Sequence, residues 1–175
     1  MESIIVDRSP VSMHTIVQFL ADVPVAALQI FDINLRQSYY TLDIIRKSLE
    51  MANILKINDE EIIVVGNLLG IDAGAEYVLQ EFIDRYNLKL GILTKGGKGS
   101  TLISGDKIST FSGFDVPVQD SVGAGDSFTA AIAIGMLRNY DLDHLNECAN
   151  MLASFVCTAS GATPEIPDEI SSIFK

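Results

Sequence analysis

Asp120-Ser121-Val122-Gly123-Ala124-Gly125-Asp126 runs directly into an apolar stretch, residues 127–137, that carries Ala130 and Ala131. Small residues at 123, 124 and 125 and a carboxylate at 126 therefore stand at what reads as the first turn of a buried helix. The first backbone N–H groups of a helix have no internal acceptor, and small side chains let an anion come close to them. Such a turn is an anion site. Asp126 follows the glycines and directs a second negative group toward the same place, which needs a chemical reason. Phosphoryl transfer supplies one, because a positioned carboxylate accepts a hydroxyl proton while nearby donors stabilise charge on the transferring group. Read as a mere flexible loop before a core helix, the stretch leaves Asp120 and Asp126 unexplained.

Outward from this stretch, short apolar runs alternate with longer helical patterns, which predicts an α/β fold with a mostly parallel sheet and covering helices. Strands are expected at residues 3–6, 27–31, 53–57 and 88–94. Helical spacing covers 11–21, 41–51 with Thr41 as N-cap, 73–86 with Leu79, Phe82 and Ile83 on one face, and the shorter 59–69. Residues 100–112 read as a hairpin turning at Gly105-Asp106. Two helices, 123–137 and 142–157, follow. The tail from Thr158, with Gly161, Pro164 and Pro167, reads as an ordered loop before a short last helix.

The 175 residues fit one domain, and a hydrophobic share of 48% suits a globular core. No apolar run reaches 18 residues, and the acidic start Met1-Glu2-Ser3-Ile4-Ile5-Val6-Asp7 does not suit a signal peptide, so a cytoplasmic protein is expected. Cys148 and Cys157 lie on different turns of one expected helix and read as core thiols rather than a disulfide or metal pair. His14 and His144 have no partner at ligand spacing and read as surface residues. A net charge of −11 repels nucleic acid and anionic membranes, so an anionic substrate has to be held locally.

Thr94-Lys95-Gly96-Gly97-Lys98-Gly99 leaves the carboxyl end of an expected strand, where α/β proteins place ligands. It is not a P-loop, since counting from Gly91 puts glycine rather than lysine at 97. Asn58-Asp59-Glu60-Glu61 closes one strand and opens a helix, where carboxylates complement the dipole. Asp32-Ile33-Asn34-Leu35-Arg36 leaves another strand; Arg36 offers a fork of donors for phosphate, or a salt bridge to Asp32 or Asp43. No Gly-x-Gly-x-x-Gly opens a helix after a strand, which removes support for a dinucleotide-dependent oxidoreductase.

Together these segments resemble the PfkB (ribokinase-like) carbohydrate kinase family, whose C-terminal signature the 120–126 stretch matches. The resemblance implies a ribokinase-like fold and ATP-dependent phosphorylation of a sugar hydroxyl. Asp126 would be the base, with Gly123, Ala124 and Gly125 as the anion hole. Thr94, Gly96 and Gly99 match the family's turn along the nucleotide, and Asn150 and Gly161 its adenine-side helix and closing loop. Asn58 and Glu61 fit its Asn-x-x-Glu element, associated with Mg2+ partly through water. Asp120 corresponds to a residue that in several members helps hold a monovalent cation such as K+, although Glu165 stands where ribokinase-like members often have a small hydroxylic residue. The Asp-x-Asn-x-Arg wording, with Asn34 and Arg36 on the substrate and phosphate side, resembles fructokinase-like and 2-keto-3-deoxygluconate-kinase-like members and makes fructose the best single sugar.

The resemblance runs from Arg8 to Pro167 and makes 1–175 a C-terminal nucleotide-binding and catalytic part. The family's Gly-Gly sugar-binding element, first strands and β lid are not in this sequence. The expectation is a truncated chain that self-associates through an uncovered sheet edge, with a catalytically incomplete nucleotide-binding module as the alternative.

Overall fold

The computed structural model describes residues 10–35 and 40–174. The strand expected at 3–6 and Arg36 lie outside them. Two compact units divide the chain between Leu93 and Thr94, where size alone suggested one domain.

In the first unit, α1 (Pro10–Ala21) precedes β1 (Ile30–Asp32), α2 (Leu42–Met51), β2 (Ile54–Asn58), α3 (Glu61–Leu68), α4 (Ala75–Tyr86) and β3 (Leu90–Thr94), whose last residue opens the second unit. The strands lie in the order β1-β2-β3, with β1 and β2 parallel and Ile30, Phe31 and Asp32 opposite Ile54, Leu55 and Lys56. β2 and β3 are near-continuous buried runs, as expected of strands covered on both faces. Ile54, Leu55, Ile57, Ile92 and Leu93 are fully buried together with Leu49 of α2, Ile62 of α3 and Leu79 and Phe82 of α4. Each such side chain contributes roughly 1.5–3 kcal/mol on burial.

β1 starts three residues later than expected, for a local reason. Asn53 takes the place of a strand partner: its Oδ1 accepts from Gln29 N at 3.0 Å and its Nδ2 donates to Ala27 O at 2.8 Å. Residues 27–29 are thereby tied to a side chain, and Gln29 O in addition accepts from Asn53 N and Ile54 N ahead of the regular ladder. α2 starts where Thr41 caps it, the hydroxyl accepting from Ile44 N at 3.2 Å. α4 ends at Asn87, which adopts the left-handed conformation (φ 52°), and Leu88 N donates back to Ile83 O.

The second unit holds the antiparallel hairpin β4 (Ser100–Ser104) and β5 (Lys107–Phe111), then α5 (Ala124–Leu137), α6 (Leu142–Cys157) and the short α7 (Asp168–Ser171). Ser104 pairs with Lys107 across Gly105-Asp106, the turn the sequence indicates. α6 packs on both α5 and the hairpin. Apolar packing is joined there by a polar knot. Asn146, fully buried, accepts from the Ser100 hydroxyl and from Asn150 Nδ2 at 3.0 Å, and its own Nδ2 donates to Ser109 O at 3.1 Å.

Among the described residues no helix is long and apolar enough to cross a membrane. Both cysteines are free; Cys148 is buried, while Cys157 is only half-buried, less of a core thiol than expected.

Candidate functional site

The 120–126 stretch forms as its residues dictate. Gly123 caps α5 in the left-handed region (φ 84°), and a Cβ there would lie 2.4 Å from Ala162 O. Only glycine permits both that conformation and that approach. Ala124 and Gly125 are the first two helical residues and Asp126 the third. Among the described residues the N–H groups of Gly125 and Asp126 find no backbone acceptor, and that of Ala124 reaches Ser121 O only at 3.3 Å. Donors thus face outward at the helix start, with the exposed Asp126 carboxylate on the same turn.

The turn is fastened from behind. Asp120 Oδ1 accepts from Val122 N at 3.0 Å and its Oδ2 from Gly161 N at 3.2 Å, while Gln119 N donates to Cys157 O at 2.8 Å. Three expected site residues, Asp120, Gly123 and Gly161, are thereby brought together. Asp120 is half-buried and each of its oxygens already serves a backbone donor.

Thr94, Gly96 and Gly99 bracket a single 3-10 turn, Gly96–Lys98. Gly96 is exposed (φ 56°) with open space around its Cα. Gly99 is buried, and a Cβ on it would lie 2.0 Å from Phe111 O, so the end of β5 requires glycine there whether or not a nucleotide binds. Lys95, whose ammonium donates to Thr101 Oγ1 at 2.9 Å, orients the turn on β4.

Asn150 does not line this surface. It is 6% exposed, and its Nδ2 donates to Ser100 Oγ at 2.8 Å as well as to Asn146. A residue so engaged holds α6 to the hairpin; nothing in the spacing signals this, because its partner Ser100 lies 50 residues away.

In the first unit, Asn58 and Glu61 form a reciprocal cap on α3. Asn58 Oδ1 accepts from Glu60 N at 3.0 Å and Glu61 N at 2.8 Å, and Glu61 Oε2 accepts from Asn58 N at 3.1 Å. This is the capping-box arrangement, with asparagine in the place of serine or threonine. Glu61 Oε1 accepts from Leu35 N at 3.0 Å. Burial pushes the Glu61 carboxyl above its ordinary value, against the bonds from Leu35 and Asn58 and the charge of Lys56, which pull it down.

For magnesium the donor set fits in one way only. Asn58 Oδ1 spends both lone pairs on backbone donors, whereas each Glu61 oxygen keeps one, enough to accept a hydrogen bond from a metal-bound water. Among the described residues no three His, Cys, Asp or Glu side chains cluster as a metal cage.

Lys56 went unnoticed in the sequence. The residue is 8% exposed, and its ammonium holds both Asp32 oxygens at 2.8 and 2.9 Å. The signal was the strand pattern, since Lys56 interrupts an apolar strand whose neighbour ends in Asp32. Asp32 pairs with Lys56 and Asp43 with Lys47 at 2.9 Å; the salt bridge weighed for Arg36 lies outside the described residues. Asn34 is exposed on the turn after β1. His14 and His144 are exposed as expected, but His144 is not isolated: its ring nitrogens lie 3.6 and 3.7 Å from Cys148 Sγ one helical turn on, and it packs against Tyr140.

Comparison with known proteins places this geometry. The model of the pfkB family carbohydrate kinases matches residues 2–169. The uncharacterized sugar kinase PH1459 of Pyrococcus horikoshii, solved in complex with ATP, is 27% identical with a TM-score of 0.77 over 98% of this chain and 57% of its own. A nucleoside kinase of Methanocaldococcus jannaschii, described as an archaeal member of the ribokinase family, is 25% identical with a TM-score of 0.76 over 90% of this chain and 51% of its own. Fructokinase-2 of Oryza sativa subsp. japonica is 31% identical over 66% of this chain and 35% of its own length. The chain spans half or less of the curated relatives it first matches. Its fold is ribokinase-like, and the chain belongs to the pfkB family of carbohydrate kinases.

Proposed function

We propose that this chain carries the catalytic and nucleotide-binding part of a sugar kinase that moves the γ-phosphoryl group of ATP to a sugar hydroxyl, with fructose the first sugar to test. The observation that carries this reading is the α5 start: unpaired backbone donors on the turn that also bears Asp126. Gly123, Ala124 and Gly125 stabilise charge on the transferring group. Asp126 accepts the hydroxyl proton, which makes the sugar oxygen a nucleophile. The turn bearing Thr94, Gly96 and Gly99 lies along ATP, with Gly161 in the closing loop; Asn150 acts on it only by holding the hairpin in place. ATP enters as its Mg2+ complex, whose charge neutralises the phosphates. Glu61 would hold that Mg2+ through one of its waters, and Asn58 contributes by capping α3. Asn34 and Arg36 belong to the sugar and phosphate side. Asp120 fastens the closing loop, and each of its oxygens, with one backbone bond made, keeps a lone pair for K+. The cytoplasm, which supplies ATP, is the compartment we assign to the reaction.

A coupled ADP-release assay across fructose, ribose and 2-keto-3-deoxygluconate tests the reading. Sugar-dependent ADP release supports it, and its absence in the presence of bound ATP contradicts it.

A second reading is a catalytically incomplete nucleotide-binding module that self-associates through β1, the end of the strand order among the described residues. ATP binding by calorimetry without turnover would single it out.

A further inference from the structure

β1 and β2 part company after Asp32 and Lys56. The last ladder bond beyond that register runs from Ile33 N to Lys56 O at 2.9 Å. Two residues on, Leu35 N meets no strand and donates to Glu61 Oε1 at 3.0 Å, while Glu61 Oε2 accepts from Asn58 N at 3.1 Å, the last residue of β2. One carboxylate thus stands in for a missing rung and ties the departing ends of both strands. It is 9% exposed, a position in which a carboxylate is kept only when its bonds are made. Asn34 sits between the two tethered amides of Ile33 and Leu35, so the turn carrying it is pinned on both sides.

We infer that Glu61 is a positioning residue: its carboxylate clamps the Asn34 turn to the end of β2 and thereby sets sugar affinity, in addition to any role toward the metal. The sugar part rests on the kinase reading; the clamp does not.

The clamp is tested without substrate, by amide hydrogen exchange of the 175-residue chain followed by NMR. Glu61→Met removes both acceptors at similar length, and Glu61→Gln keeps one. In the Met variant the Leu35 and Asn58 amides should exchange roughly tenfold faster or more, the usual weight of a hydrogen bond to a charged group, while Ile92 in the core keeps its rate. In the Gln variant one of the two should accelerate. An unchanged Leu35 rate in the Met variant overturns the clamp; if that variant loses core protection throughout, an unchanged pair of amides in the Gln variant overturns it. For the sugar part, Glu61→Gln should raise KM for fructose at saturating Mg2+, and excess Mg2+ should not restore it. Restoration by Mg2+, or a fall in kcat at constant KM, overturns that part. A wild-type chain that releases no ADP with any sugar sinks the kinase reading and leaves the exchange result to decide the clamp.

Discussion

Asp126 carries the largest consequence for its size. Asn keeps the shape of the side chain and removes the proton acceptor, so Asp126→Asn should lower kcat about 10²–10⁴-fold while calorimetry finds ATP affinity nearly unchanged. Gly123 is constrained twice over, by its left-handed φ of 84° and by the Ala162 carbonyl. Gly123→Ala should cost roughly 1–3 kcal/mol in urea unfolding, because the backbone must leave that region or push the closing loop away. The thiols should also separate by reactivity. Burial, followed by the charges of Glu147 and Asp141, pushes Cys148 above its ordinary value, and it is 1% exposed. Burial and the charge of Asp120 push Cys157 up as well, so access decides: iodoacetamide at pH 8 should label the half-buried Cys157 well before Cys148, and equal rates would contradict the burial.

Elements with a strong local signal were legible in the sequence. α2 begins at its Thr41 cap, α4 buries Val78, Leu79, Phe82 and Ile83 on one face, and the hairpin turns at Gly105-Asp106. The glycines of the α5 start announce themselves because only small residues meet the steric demand there. What stayed hidden depends on partners distant in sequence. The shift of β1 follows from an amide 24 to 26 residues away, and Asn150 is drawn inward by Ser100, 50 residues earlier. Glu61 could be read as a carboxylate complementing the helix dipole and, through the resemblance, as a metal partner, but its bond to Leu35 could not. The α6–hairpin knot gives the element-scale prediction. Asn146→Ala strands donors and acceptors on Ser100, Ser109 and Asn150, so the urea midpoint should fall by an amount equivalent to about 1–3 kcal/mol or more. A midpoint within error of wild type would show that the buried bonds are replaced.

At the scale of the whole molecule, a chain with net charge −11 takes an anionic cosubstrate only where backbone donors and a few cations are concentrated. The α5 turn supplies such donors within the second unit, and Lys95 and Lys98 lie in the glycine-rich turn of the same unit. Family membership explains why both features occur together, and the half-length match explains why sugar turnover is the demanding test. That test is sugar-dependent ADP release by the 175-residue chain, run beside Asp126→Asn. The account predicts ADP release on adding fructose to the wild type and close to none in the variant. Equal release by both, or none by a wild-type chain that binds ATP, would contradict it.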